Sequence, residues 1–481
     1  MTERTQHISA RARSALLAAP LLLSGCAGFS GDGGMDFVRA TTASETGTQI
    51  VTIRSEEDAA AARAATDALL ERPLTANAAV QIALLNNKGL QAAYNELGIA
   101  EAARVQASLL PNPTFSVERL SGVAEIEIEK RIVANILALA TLPARAEIAT
   151  ARFRQAQLRA ADETLRIAAE TRRAYYRAVA ARYMIFVLAQ AKSSAETTTQ
   201  ISRRLGETGA TSKLSQAQDH VIYAEITAQY ATARQRASSE RERLVRWMGL
   251  WGGDLAFKLP DTLPSMPRRP HVLPAVESEA VRRRLDIQIA RLELDALARS
   301  YGLTQATRFV NLLEVAGIAK DVKERETGET ARDRGFEVEF QIPLFDFGAV
   351  KIRQAEEAYL QAVNRLTAKA VNVRSQAREA YQAYRASHDI ARHYRREVLP
   401  LRKIISDETL LRYNAMQIDV FALLSEARQR IGSITSAIDA ERAFWLAETD
   451  LGAALLGGNA GTASGENNPS TTAAPESAGG H

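Results

Sequence analysis

Between Ala349 and Leu399 the chain has neither glycine nor proline, and apolar residues recur every three or four positions. Ile352, Ala355, Tyr359, Ala362, Val363, Leu366, Ala370, Val373, Ala377, Tyr381 and Tyr384 make one stripe, with charged residues between them. That spacing predicts an amphipathic helix. Pro400 is the first break, after which the pattern resumes through Ile404, Ile405, Leu410 and Leu411. At 1.5 Å per residue the whole stretch would span roughly 95 Å, too long for a compact domain.

A second stretch, Ala144 to Leu205, has the same character and nearly the same length. Arg172, Ala174 and Tyr175 fall on Arg378, Ala380 and Tyr381 when the two are superposed. Each ends in a turn, one around Gly206–Gly209, the other around Tyr413, Asn414 and Met416, and each turn leads into a returning helix. A duplication of this length predicts two equivalent halves.

Ahead of each long helix the period changes to two. Phe115 and Val117 alternate with polar residues, then Glu125, Glu127 and Glu129 alternate with Ile126 and Ile128. In the second half Glu337 and Glu339 alternate with Phe336, Val338 and Phe340. These are β-strands with one apolar and one acidic face. A charged loop is expected over Lys320–Arg334, between strands at Phe309–Val315 and Phe336–Ile342. Five prolines crowd residues 252–275, which read as a linker between the halves.

The expected organisation is therefore a leader at 1–25, an extended Gly/Thr/Ser-rich tether at 26–55, a first repeat at 56–251, the linker at 252–275, a second repeat at 276–456 and a low-complexity tail at 457–481. The leader has Arg4, Arg11 and Arg13 before a short apolar run, as a signal peptide does. Leu23-Ser24-Gly25-Cys26 resembles a bacterial lipobox, which implies a lipid on Cys26, the chain's single cysteine. No later run of apolar residues is long enough for a spanning helix, so a spanning segment has to be β.

The layout resembles the TolC-like outer-membrane efflux protein family. The likeness rests on Leu110-Pro111-Asn112-Pro113 before the first hairpin and on Ile342-Pro343-Leu344-Phe345-Asp346-Phe347-Gly348 after the second. The turns Gly209-Ala210-Thr211-Ser212 and Arg412-Tyr413-Asn414-Ala415-Met416 add to it. It implies a mainly α fold with a small membrane β part: a homotrimer with a long periplasmic helical barrel and a shared outer-membrane β-barrel, four strands per chain. It also implies partners: outer-membrane lipid, a periplasmic adaptor protein and an inner-membrane transporter of the resistance-nodulation-division type. Gly206, Gly209, Ser212, Tyr413, Asn414 and Met416 would form the docking tips. Two features depart from the family pattern. Met416 stands where glycine is common, and the gate positions that often hold aspartate match Ser215 and Ala422, with Asp419 nearby. The second tip resembles that of the heavy-metal branch. Two other readings are a lipid-anchored periplasmic coiled-coil adaptor, which leaves the paired hairpins unexplained, and the outer component of a type I secretion system.

Net charge is only +4, spread evenly, which argues against nucleic acid. No phosphate loop, catalytic motif or metal-ligand spacing is present, so neither enzyme activity nor a cofactor is expected. His388 and His393 read as solvated surface histidines, and Tyr175 and Tyr381 as packing between helices. Carboxylates are costly against lipid. Glu125, Glu127, Glu129, Glu337 and Glu339 are therefore expected to line a barrel lumen, with no compensating base before Arg131, and to favour cations.

Overall fold

A computed structural model describes residues 28–47 and 50–457. Cys26, the leader and the tail from 458 onward lie outside the described residues. The helices are α1 (Met35–Thr46), α2 (Glu56–Leu70), α3 (Ala76–Asn86), α4 (Lys88–Ser108), α5 (Ile136–Ala140), α6 (Leu142–Glu207) and α7 (Lys213–Met248). In the second half they are α8 (Val276–Arg283), α9 (Leu285–Ala306), α10 (Ala349–His393), α11 (Leu399–Asn414) and α12 (Val420–Leu456). The strands are β1 (Thr114–Ser121), β2 (Glu125–Asn135), β3 (Leu312–Glu324) and β4 (Thr330–Gln341). No described helix is long and apolar enough to cross a membrane.

With 66 residues, α6 runs about 100 Å. Its middle is studded with alanine, and Ala160, Ala161, Ala168, Ala174, Ala178 and Ala180 are all buried. Small side chains let neighbouring helices approach along the whole length, which suits a layer of parallel rods better than a round core. The core is accordingly divided lengthwise. One cluster joins α1, α3 and α4 to the strand-proximal end of α6, another joins α3, α6, α7 and the Pro-rich segment, and a third joins α8, α10 and α12. A fourth, near the turns, packs Ala191, Ala195, Ile222 and Ile226 against Leu424.

The two long helical stretches make matching tyrosine contacts. The Tyr175 hydroxyl donates to the Leu74 carbonyl at 3.0 Å, just ahead of α3. The Tyr381 hydroxyl accepts from the Leu273 amide at 3.3 Å, just ahead of α8. Each tyrosine ties its long helix to backbone two or three residues ahead of a shorter helix.

Four expectations need correction. The tether contains α1, whose Met35 and Val38 are fully buried, and its next segment bonds to the Gln91 side chain through Val51 and Ile53. The Pro-rich segment is irregular apart from a turn at Gly252–Ala256, yet it is packed: Phe257, Leu259 and Leu263 are buried and Lys258 accepts from the Leu74 amide. Residues 320–324 and 330–334 are strand, because the hairpin turn needs only 325–329. Lastly, His388 is 1% exposed, held at 3.1 Å from the Pro267 carbonyl and edge-on to Phe444.

Pro400 leaves a particular mark. Tyr394–Val398 forms a π-turn, with the Leu399 amide reaching back to the Tyr394 carbonyl. Proline cannot donate and crowds the preceding turn, so a wider turn there relieves it.

Candidate functional site: one sheet and two turns

The two hairpins merge into one antiparallel sheet in the order β1-β2-β3-β4. The central register pairs Glu125 with Glu324, Glu129 with Lys320 and Asn135 with Glu314. Paired residues share a face. One face therefore gathers nine carboxylates, Glu118, Glu125, Glu127, Glu129, Glu314, Glu324, Asp333, Glu337 and Glu339, against two cations, Arg131 and Lys320. The other face carries Phe115, Val117, Ile126, Ile128, Ile132, Val315, Phe336, Val338 and Phe340. On β2 and β3 the acidic face is the more enclosed near the helices: Arg131, Val133 and Asn135 are half-buried while Ile132 and Ala134 are exposed.

All five predicted glutamates thus share one face, but they are not uncompensated. Lys320 Nζ lies 2.5 Å from Glu127 and Arg131 reaches across β3 to Glu337 at 2.9 Å. Lys320 was hidden because its segment reads as a loop. The two-residue alternation of Arg332, Arg334, Phe336, Val338 and Phe340 against Asp333, Glu337 and Glu339 was the signal that extends β4 and the acidic face.

β1 and β4 are open edges, each paired on one side only. Phe115, Phe336 and Phe340 are more than half exposed, and Phe345, just past β4, is wholly so. A flat, aromatic, unpaired edge is an aggregation hazard in water and is not tolerated in lipid.

At the far end of the long helices lie the two turns, and they superpose. α6 ends at Glu207, Gly209 is left-handed (φ 76°), and Ser212 caps α7 by accepting from the Ser215 amide. α11 ends at Asn414, Met416 is left-handed (φ 60°), and Asp419 caps α12 by accepting from the Ala422 amide at 2.8 Å. The glycine expected at Met416 is thus expected for a physical reason, since the backbone there takes the glycine conformation. Gly206 is different. It is helical, and a Cβ on it would meet the Gln216 side chain. Among the gate candidates, Asp419 has its carboxylate committed to its own helix start, and Ser215 and Ala422 each supply the capped amide.

Pattern reading missed two further acids. Asp219 is 1% exposed with neither carboxylate oxygen hydrogen-bonded among the described residues. Glu426 stands as far beyond Met416 as Asp219 stands beyond Gly209, and is also buried. Glu426 has a partner, Arg402, at 3.3 Å. The position matching Arg402 in the first half is Ala195.

Residues 276–405 match the family model described as outer membrane efflux protein. That match spans the start of the second half, about a quarter of the chain. Its fold is that of several solved channels. It overlays the Campylobacter jejuni CmeC outer membrane channel with a TM-score of 0.68 at 15% identity, covering 80% of this chain and 85% of that one. For the open state of the Neisseria gonorrhoeae MtrE outer membrane channel the values are 0.66 and 16%, covering 79% and 88%. For CusC, solved in a study of folding and transmembrane channel formation, they are 0.67 and 16%, covering 79% and 92%. No curated protein matches the sequence. Among the described residues no cluster of His, Cys, Asp and Glu could hold a metal ion.

Proposed function

We propose that the protein is the exit duct of a tripartite efflux system: a homotrimer whose chains share one outer-membrane β-barrel and one periplasmic helical tube. The observation that carries this reading is the sheet with two unpaired edges and sorted faces at the end of helices about 100 Å long. Inside a bilayer every backbone donor and acceptor must be paired, so open edges require further copies of the same sheet. Strands of 8 to 13 residues suit a tilted crossing. The apolar face then meets lipid and the acidic face meets the lumen.

The remaining assignments follow from that orientation. Cys26 carries a lipid that anchors the chain to the outer membrane. The tips around Gly206, Gly209, Ser212, Tyr413, Asn414 and Met416 receive a periplasmic adaptor, which connects an inner-membrane pump of the resistance-nodulation-division type. Met416, 94% exposed and held left-handed, offers that partner a bare apolar side chain. Ser215, Asp419 and Ala422 border the entrance. The cargo is cationic, metal ions or cationic drugs, because carboxylates outnumber bases on the inner face.

Gel mobility of unboiled outer-membrane fractions tests the assembly. A closed barrel trimer migrates as a heat-sensitive high-mass band, and a periplasmic adaptor does not. A single monomer band with and without boiling would refute the duct.

A further inference from the structure

The register that gathers carboxylates on one side of the sheet sends most of its cations to the other. Arg119, Lys130, Lys323, Arg332 and Arg334 all stand on the apolar, outward face, with Asp321 as the one carboxylate among them. Asp321 pairs with Lys130 at 3.1 Å and Arg332 at 3.6 Å. Among the described residues the side chains of Arg119, Lys323 and Arg334 have no ion pair or hydrogen bond. Solvation alone would place charges of both signs on both faces. Here they are sorted by sign.

They are also sorted by height. All five lie in the part of the sheet remote from the helices, beyond Phe115 on β1 and Phe336 on β4. Arg334 is one pleat beyond Phe336, about 7 Å. Below that level the outward face is apolar, through Phe115, Ile132, Phe336, Val338 and Phe340. A cation deep in hydrocarbon is costly, and the cost vanishes at the headgroups. The row therefore marks the level where hydrocarbon ends. The acids of the hairpin turn, Glu326 and Glu329, lie beyond it.

We infer that this row is a binding site for phosphate-bearing lipid headgroups of the leaflet facing the exterior. The inference rests on the duct reading, which makes the apolar face the lipid face. Two arginines sit on the β4 edge and one on the β1 edge, so closing the barrel joins the rows of neighbouring copies. Guanidinium groups engage phosphate oxygens in pairs, and each basic residue at an anionic lipid surface adds attraction.

The test uses the full-length protein in phosphatidylcholine nanodiscs with and without bis-phosphorylated lipid A. Native mass spectrometry of the released protein reads retained lipid. The unmodified trimer should retain lipid A in preference to phosphatidylcholine. A triple variant, Arg119→Gln with Lys323→Gln and Arg334→Gln, should lose that preference by roughly tenfold or more. Where that variant does not assemble, the salt dependence of the unmodified protein decides, since retention through phosphate must weaken as salt rises. Equal retention by the variant, salt-independent retention, or equal retention of dephosphorylated lipid A would overturn the inference while leaving the duct standing. Displacement by inorganic phosphate alone would also overturn it, by making the row a free-phosphate site. Absence of any trimer in either lipid would sink the duct reading and this inference with it.

Discussion

The two halves of the chain solve one structural problem with different chemistry. Tyr175 and Tyr381 hold matching places, yet their hydroxyls play opposite roles, donating to a carbonyl in the first half and accepting from an amide in the second. Burial pushes the Tyr175 phenol up to about 12. The hydrogen bond from the Leu273 amide, together with Arg385, draws the Tyr381 phenol below its ordinary value. The left-handed turn is glycine in one half and methionine in the other. The buried acid has a cation in the second half and none in the first. The spacing from tyrosine to turn also differs: Tyr381 to Met416 exceeds Tyr175 to Gly209 by one position. The π-turn at Tyr394–Val398 is where an α-helix absorbs one extra residue. What the duplication preserved is the geometry of the hairpins, and side-chain chemistry was free to diverge around it.

The largest expected effect lies in the acid pair. Arg402→Ala strands Glu426 in a site where its side chain is only 10% exposed. Breaking a buried pair costs several kcal/mol. Because Arg402 keeps 28% exposure, a loss of about 2 kcal/mol is expected in denaturant melts. Asp219→Asn, in the half without a cation, should leave stability unchanged or raise it. A loss on Asp219→Asn as large as that of Arg402→Ala would mean the two acids are not in contrasting environments.

Next come the tyrosines. Tyr175→Phe leaves the carbonyl of Leu74, a residue with no exposure, without its donor, and should cost about 1.5 kcal/mol. Tyr381→Phe removes a longer bond in a wetter place and should cost about 0.5 kcal/mol. Equal losses would erase the proposed difference between the halves.

The tips should respond by about 1 kcal/mol in opposite directions. Gly209→Ala has open space for its methyl, so its cost is purely the left-handed backbone. Met416→Gly removes that same cost and should stabilise the turn. If adaptor docking uses the methionine side chain, Met416→Gly raises the melting temperature yet weakens adaptor binding in pull-downs. A variant that melts higher and binds as before removes Met416 from the interface.

The smallest effect belongs to the inserted residue. Deleting Arg396 in a Pro400→Ala background should turn the π-turn into regular α-helix and restore the spacing of the first half. Trimer melting should then change by less than about 1 kcal/mol relative to Pro400→Ala alone, because a surface helical turn is exchanged for another. A collapse of the trimer would show that the wide turn is required for assembly.

Much of this was readable beforehand, and the reason is periodicity. Runs as long as Ala144–Leu205 leave no doubt about helix, and the Glu-Ile alternation of 125–129 is an unambiguous strand. Two kinds of feature were not readable. Charged strand residues such as Lys320 and Arg332 look like loop, because the apolar alternation that marks a strand is absent where both faces carry charge. Buried polar residues such as Asp219, Glu426 and His388 look like surface, because a helical repeat in a tube has several packed faces and no single stripe. For Asp219 and Glu426, their common position relative to the turns was the one available clue. Likewise α1 sits in a Gly/Thr/Ser-rich stretch, and only its packing into the cluster that holds Leu84, Leu90, Phe153 and Leu158 makes Met35 and Val38 core.

The central claim is that the acidic face of the sheet lines an open duct and selects cations. The direct measurement is the reversal potential of single channels in planar bilayers under a salt gradient, using a protein whose tips have been opened. The account predicts cation preference that falls when Glu125, Glu127, Glu337 and Glu339 are all changed to Gln. Anion preference, or a reversal potential untouched by those four changes, would contradict it.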